Sequence, residues 1–218
     1  MANGDQGWVY AVYIRVLTLP PTPTAPAGPP EIYRSCALEG NAVAEYRRES
    51  NTLKNRVTAP TPNEIDPTIT LERIAAPGDD RTRWTPQQGA SIVGYVIDVK
   101  PGGKETVNCG EADSKYKDAH IELVAQPTNT SKKKRIIVEI TPRWRAFLAP
   151  GGDWSTTTLA SRLENKWVRF TGWMFFDGEH DDESENTTPG RPENWRATAW
   201  EIHPVTALRV CTTGPQNC

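Results

Sequence analysis

The chain has 218 residues with 25 basic and 27 acidic side chains, so its formal charge is −2, and it contains eight tryptophans but four phenylalanines. This length suffices to bury a core without metals or disulfides. The nearly balanced charge excludes a global positive field for nucleic acid or membranes, so any charged partner must contact a local patch.

The cysteines leave the redox state of the chain open. Cys36, Cys109, Cys211 and Cys218 form no C-x-x-C pair, which argues against a zinc ribbon or a thioredoxin-like site. Disulfides Cys36–Cys109 and Cys211–Cys218 are both compatible with an oxidising compartment, and the spacing decides neither. No stretch approaches the roughly 20 apolar residues of a membrane span. We therefore expect a soluble protein without a membrane partner, either cytoplasmic or exported with its signal removed.

The N-terminal part of the chain, residues 1–89, is predicted to be an extension. Residues 8–19 are rich in β-branched and aromatic types and predict a strand, and the six prolines from Pro20 to Pro30 predict an extended linker. Good helix formers from Ala42 to Asn55 predict a helix, and Asp66 before Pro67 predicts the start of a second, short one. If the strand and linker dock on a neighbour's sheet edge, the protein self-associates and has a structural or assembly role.

After Gly89 the pattern changes to strands. Alternating apolar and polar residues from Ser91 to Val99 predict a strand that ends at a Pro-Gly-Gly turn. The later segments predict, in order, strands at 120–125 and 135–140, a helix at 156–163, and strands at 167–176 and 196–210. Three strands, a helix and two strands form the connectivity of the OB barrel.

Residues 90–212 therefore resemble an OB-fold domain, followed by a tail at 213–218. The fourth strand is similar to the usual one of that fold in its run Lys166-Trp167-Val168-Arg169-Phe170-Thr171-Gly172-Trp173. The predicted fold class is mainly β, a five-stranded OB-type barrel with one helix between strands three and four, plus the N-terminal strand and helical extension. A narrower similarity, to the tail of an uncharacterised bacterial family, lies in Asp177-Gly178-Glu179-His180 and Trp200-Glu201-Ile202-His203-Pro204-Val205. That family implies no settled activity.

One basic run suggests a first function. Cations that follow phosphates and an indole that stacks on a base are what single-strand binding needs, and both occur around the third strand. The candidate residues are Lys132, Lys133, Lys134, Arg135, Arg143, Trp144 and Arg145. The leading hypothesis is a non-enzymatic binding module for single-stranded nucleic acid or another extended ligand. Four cations at a hairpin tip serve to solubilise a protein and to protect its sheet edge about as often as they bind a ligand. This alternative stays open.

The three histidines, each beside acidic residues, suggest a second function. Alternation puts Asp118, His120 and Glu122 on one strand face, and likewise Glu201 and His203 on the last strand. Imidazole and carboxylate groups suit zinc or manganese. The alternative hypothesis is a metal-dependent phosphoester hydrolase, with ligands or a general base among His120, Glu122, His180, Glu201 and His203. The same pattern also suits polar residues that simply face solvent on the outside of an antiparallel barrel.

Overall fold

Five strands close into a barrel in the computed structural model, which describes residues 28–129 and 131–218. The strands are β1 (Gly89–Pro101), β2 (Ala119–Val124), β3 (Ile136–Ile140), β4 (Trp167–Phe176) and β5 (Trp200–Val210). Their order around the barrel is β1-β2-β3-β5-β4, and neighbours are antiparallel except for the parallel pair β3 and β5. This is the OB-type arrangement that the sequence predicted. The predicted strand at 8–19 and most of the proline-rich linker lie outside the described residues.

Within the described residues, four short α-helices surround the barrel: α1 (Glu45–Lys54), α2 (Leu71–Ile74), α3 (Pro142–Leu148) and α4 (Thr156–Leu163). The prediction of α4 is confirmed, but two helices rather than one separate β3 from β4. Helix α3 begins after Thr141, whose hydroxyl accepts a bond from the backbone N–H of Trp144 at 3.3 Å. None of the helices in the described ranges is long and apolar enough to cross a lipid bilayer.

The second predicted helix is shorter than expected and starts later. Asp66 does not cap it, because its carboxylate accepts bonds from the backbone N–H and the hydroxyl of Thr68 within a turn. The cap is Thr70, which accepts from the backbone N–H of Arg73 at 3.3 Å. Helix α2 therefore has a single turn, whose Leu71 and Ile74 point into the core.

The barrel core is formed by the inward face of each strand. Ile121 and Leu123 of β2 lie there, as the sequence predicted, with Val138 and Ile140 of β3. At Gly172 the chains of β4 and β5 come so close that an added Cβ would lie 2.2 Å from the carbonyl oxygen of Pro204. Only glycine allows this approach, which coincides with a shift in the register of the two strands.

The described part of the extension, residues 28–88, packs on the barrel. Trp84 contacts Trp200 edge to face with ring centroids 5.8 Å apart, and a disulfide joins Cys36 to Cys109. The side-chain amide of Asn55 donates to the carbonyl of Val107 at 2.9 Å. Cys211 and Cys218 form the second disulfide. Both cysteine pairs that the sequence left open are therefore joined.

The outward face of β2 and β3 is covered rather than solvated. Every residue of these two strands is buried, whichever face it occupies. The segment after β4 contributes to this cover, because the backbone N–H of Ala197 donates to the carbonyl of Arg135 at 2.9 Å. Trp195 lies beside His120, with ring centroids 5.8 Å apart. Polar residues predicted on an exposed barrel surface are thus inside the protein.

Candidate metal centre

A buried cluster of histidines and carboxylates occupies this covered face. Asp118 directly precedes β2, Glu139 lies on β3 and His203 on β5, with relative exposures of 1, 6 and 0%. Asp118 Oδ2 lies 3.7 Å from His203 Nε2, and Glu139 Oε2 lies 3.4 Å from His203 Nδ1. One possible ligand atom of each residue lies within 4.8 Å of those of the other two.

Strand register brings these residues together. His120 is paired with Glu139 across the antiparallel strands β2 and β3, so the two side chains share the outward face. In the parallel pair, Ile137 of β3 lies beside Glu201 of β5. Side chains alternate along a strand, so residues two positions apart share a face. Glu139, two residues after Ile137, and His203, two residues after Glu201, therefore lie on the outward face as well.

His120 and Glu122 form one charged corner of the cluster. Imidazole Nδ1 of His120 lies 2.8 Å from Glu139 Oε1, and its Nε2 lies 3.7 Å from Glu122 Oε1. Burial lowers the pKa of His120, but the neighbouring carboxylates of Glu122 and Glu139 outweigh burial and raise it to about 9. Burial likewise raises the pKa of Glu122, yet His120 and Lys100, with Arg135, bring it down to about 2. Glu122 is thus an ionised carboxylate with cationic partners on both oxygens.

A second corner holds Glu201 through an arginine. Arg196, itself 1% exposed, donates to Glu201 Oε1 at 2.6 Å and lies 3.5 Å from Asp177 Oδ2. Asp177 in turn bonds to His180 Nδ1 at 2.7 Å. Despite burial, the pKa of Asp177 is held well below its usual range by His180, Lys54 and Arg196. The second oxygen of Glu201 lies 3.5 Å from His203 Nδ1, so Glu201 borders the centre.

Four of the five predicted ligands are brought together, and one is not. His120, Glu122, Glu201 and His203 share the buried face, but the side chain of His180 is 42% exposed and contacts the cluster only through Asp177. Glu122 is fully occupied by Lys100 and Arg135. The structure therefore places His203 at the centre of the cluster with His120 and Glu201 beside it, and Glu122 belongs to an ion-pair network.

Several buried polar atoms in the cluster have no hydrogen-bond partner within residues 28–129 and 131–218. They include both carboxylate oxygens of Asp118, both ring nitrogens of His203 and Nε2 of His120. Leaving such an atom unpaired costs about 1–3 kcal/mol. Burial, helped by the negative charges of Glu139 and Glu105 and opposed by His203, raises the pKa of Asp118 to about 6. An ionised Asp118 is therefore unfavourable here unless a cation joins it.

Lys54 of α1 is a cation at the edge of the cluster. Its Nζ lies 3.0 Å from Glu105 Oε2 and 5.4 Å from the ring centroid of Phe175, and Phe175 contacts the ring of His203. Burial lowers the pKa of Lys54, but nearby carboxylates, Glu105 first, raise it above its usual value. Lys54 also lines a small cavity of about 140 Å³ that opens to solvent beside the cluster.

Sequence reasoning missed three members of this site, namely Lys54, Glu139 and Arg196. Glu139 carried a signal, because it alternates with the apolar core residues Val138 and Ile140. Nothing local identified the other two. Lys54 comes from the extension and Arg196 from the segment before β5, and both reach the site through the fold.

The predicted nucleic-acid surface is only partly a surface, because residues 143–145 are buried in α3. Arg143 donates to the carbonyl oxygen of Glu31 at 2.7 Å, and Trp144 donates through Nε1 to that of Arg56 at 2.7 Å. Arg145 donates to the carbonyls of Trp154, Lys115 and Lys117. With Trp144 only 1% exposed, no base can stack on it, so the indole does not offer the stacking platform that the sequence predicted for a single strand.

The basic run before β3 is accessible but partly neutralised. Lys133 Nζ lies 3.1 Å from Glu185 Oε2, and Arg135 pairs with Glu122. Lys132 and Lys134 are exposed, in a single turn of 3-10 helix. Two exposed cations without an aromatic platform offer far less to a single strand than the seven predicted residues.

No protein-family model matches this chain, and no curated protein matches it either. The similarity of residues 177–180 and 200–205 to an uncharacterised bacterial family therefore stays a prediction. The function has to be inferred from the fold, an OB-type barrel, and from the geometry of the cluster on its covered face.

Proposed function

We propose that this protein binds one divalent metal ion, zinc or manganese, through Asp118, Glu139 and His203. The observation that supports this most is the carboxylate of Asp118, which is buried, has no donor within the described ranges and lies 3.7 Å from His203 Nε2. Two ligands about 2.1 Å from a tetrahedral zinc ion are roughly 3.4 Å apart. A small side-chain movement would thus seat the ion between these two residues.

A metal explains the unpaired atoms better than an ion-pair network does. In a buried network the charged atoms are joined by hydrogen bonds, as those of Glu122 are to Lys100 and Arg135. Asp118 and His203 form no such bonds within the described chain, although their atoms face each other. One nitrogen or oxygen donor from each of Asp118, Glu139 and His203 lies within 4.8 Å of the other two, and such a group of donors suits a divalent metal.

The surrounding residues can fix the ligands in place. His120 lies 2.8 Å from Oε1 of Glu139, which leaves Oε2 turned toward His203. Arg196 holds Oε1 of Glu201, and the other oxygen of Glu201 lies 3.5 Å from His203 Nδ1. Hydrogen bonds of this kind orient metal ligands and set the tautomer of a histidine. Neither His120 nor Arg196 has to bind the ion for this role.

Metal titration of tag-free protein tests the proposal. The protein is stripped with EDTA, exchanged into buffer, and titrated with zinc and with manganese by calorimetry, and the metal retained after dialysis is measured by elemental analysis. We expect the protein to bind, and to retain after dialysis, one equivalent of zinc or of manganese. Asp118→Asn and His203→Gln should each weaken binding at least about tenfold, because each removes one of three ligands.

A matched control is available in Asp80→Asn. Asp80 is as buried as Asp118, and one of its oxygens is also unpartnered in the described part of the chain, but the other accepts from Asn186 Nδ2 at 2.6 Å. This variant should bind metal like the wild type. Wild-type protein that binds neither ion, or Asp118 and His203 variants that bind like Asp80→Asn, would overturn the proposed centre.

A further inference from the structure

A cleft of about 850 Å³ opens beside the end of β1, and its lining includes none of Asp118, Glu139 and His203. It is formed by the end of β1, the 3-10 turn at Ser114–Tyr116, helix α3 and the start of α4. Its volume is in the range of small-molecule sites, which are about 300–1,000 Å³. Apolar side chains such as Val99, Pro142 and Ala160 alternate along it with charged and aromatic ones.

The cleft contains a buried positive charge without an acidic partner. Arg145 is 4% exposed and lines the cleft, and its guanidinium donates only to carbonyl oxygens, those of Trp154, Lys115 and Lys117. No carboxylate within residues 28–129 and 131–218 forms an ion pair with it. The charge of Asp118 acts on this guanidinium, but buried charges are normally paired directly, so a guanidinium without an ion pair favours an anion nearby.

Other charges of the lining reinforce this preference. Lys115 is exposed at the rim and forms no ion pair in the described chain, whereas Lys100 is already paired with Glu122 and Asp98. Asp153, an acidic member of the lining, is engaged at the start of α4. Its carboxylate accepts from the hydroxyl of Thr158 at 2.6 Å and from the backbone N–H of Ser155 at 2.8 Å. These hydrogen bonds lower the pKa of Asp153 to about 2, so it keeps one negative charge, and Arg145 and Lys115 leave the lining net positive.

Two half-buried aromatic side chains, Tyr33 and Trp154, also line the cleft. Flat aromatic faces contact planar rings favourably, and an indole that is only half buried has a face to offer. We propose that this cleft binds a small anionic ligand that carries a planar ring, with the ring against Trp154 and Tyr33 and the anionic group near Arg145 and Lys115. No metal is required for this site.

The fluorescent probe 8-anilinonaphthalene-1-sulfonate carries planar rings and an anionic group, and its binding to EDTA-treated protein tests the proposal. N-phenyl-1-naphthylamine has the same rings without the sulfonate and serves as the uncharged arm. We expect saturable binding of the sulfonate at one site, with affinity that falls as salt is raised. The uncharged probe should bind at least about fivefold more weakly, since it lacks the charge-assisted contact of the sulfonate.

Variants separate the cleft from other apolar or basic surfaces. Trp154→Ala and Lys115→Glu should each weaken sulfonate binding at least about fivefold. The matched controls are Tyr46→Ala, an aromatic residue that is 64% exposed elsewhere, and Lys132→Glu, an exposed lysine of the basic run. Equal binding by all four variants, or equal affinity for the two probes, would overturn the proposal. Circular dichroism and urea unfolding of each variant show that the fold is retained.

Discussion

Replacing Asp118 by asparagine should stabilise the metal-free protein. Burial raises the pKa of this carboxyl from its ordinary 3.8 to about 6, so above pH 6 the folded chain must hold an ionised group without a donor. A difference of about two pKa units corresponds to about 3 kcal/mol. Asparagine has nearly the same shape and no charge, so Asp118→Asn should gain up to about 3 kcal/mol at pH 8 in EDTA.

The sign of the pH dependence follows from the direction of the shift. Because the pKa is higher in the folded chain, folded Asp118 binds its proton more tightly than unfolded Asp118 does. The penalty therefore appears as pH rises from about 4 to about 6 and is complete above that range. Well below pH 4 Asp118 is protonated in the folded and in the unfolded chain, so the stability difference between the wild type and Asp118→Asn should shrink at pH 4 and vanish at lower pH.

Urea unfolding of both proteins at pH 8 and pH 4, with EDTA or with the bound metal, measures this effect. With metal bound, the wild type should be more stable than Asp118→Asn, because only the wild type retains all three ligands and gains stability from binding. Asp80→Asn serves as the control, and its stability relative to the wild type should not change sign when metal is added. An Asp118→Asn protein that is less stable than the wild type at pH 8 in EDTA would refute the reasoning, since it would mean that Asp118 has a partner.

Three further predictions concern the scaffold and the discarded surface. Removing the Cys36–Cys109 disulfide by a double serine substitution should cost about 4 kcal/mol in urea unfolding, because the bond spans 73 residues; no loss would contradict this. Gly172→Ala should cost at least about 1–3 kcal/mol through overpacking, whereas Gly178→Ala, with nothing within 4 Å of an added Cβ, should be neutral. Oligonucleotide titrations at several salt concentrations should give a log–log slope no steeper than about −1.4, because two unpaired lysines of the run 132–135 remain; a slope near −4 would restore the first hypothesis.

Local pattern sufficed for the barrel itself. The alternation in β2 and β3 and the long run of β4, rich in aromatic residues, identified the strands, and the order of elements specified the OB connectivity. Helix α4 lies at its predicted position. Helix α3 was missed although Thr141-Pro142 is a common helix start, because its Arg-Trp-Arg run was interpreted as a ligand surface.

The burial of the cluster could not be predicted from local pattern. Alternation showed that His120 and Glu122 share a face, but not whether that face is covered. The cover comes from residues 28–88 and from the segment before β5, which are distant in sequence. In the same way, the buried Arg145 donates to carbonyl oxygens from two separate segments of the chain, and no short motif encodes that arrangement.

Anomalous diffraction from crystals of this protein grown with zinc or manganese would test the metal centre most directly. The account predicts a single strong peak within about 2.0–2.3 Å of oxygens from Asp118 and Glu139 and of a ring nitrogen of His203. A cluster with no anomalous peak, while metal appears only at exposed acidic residues, would contradict it.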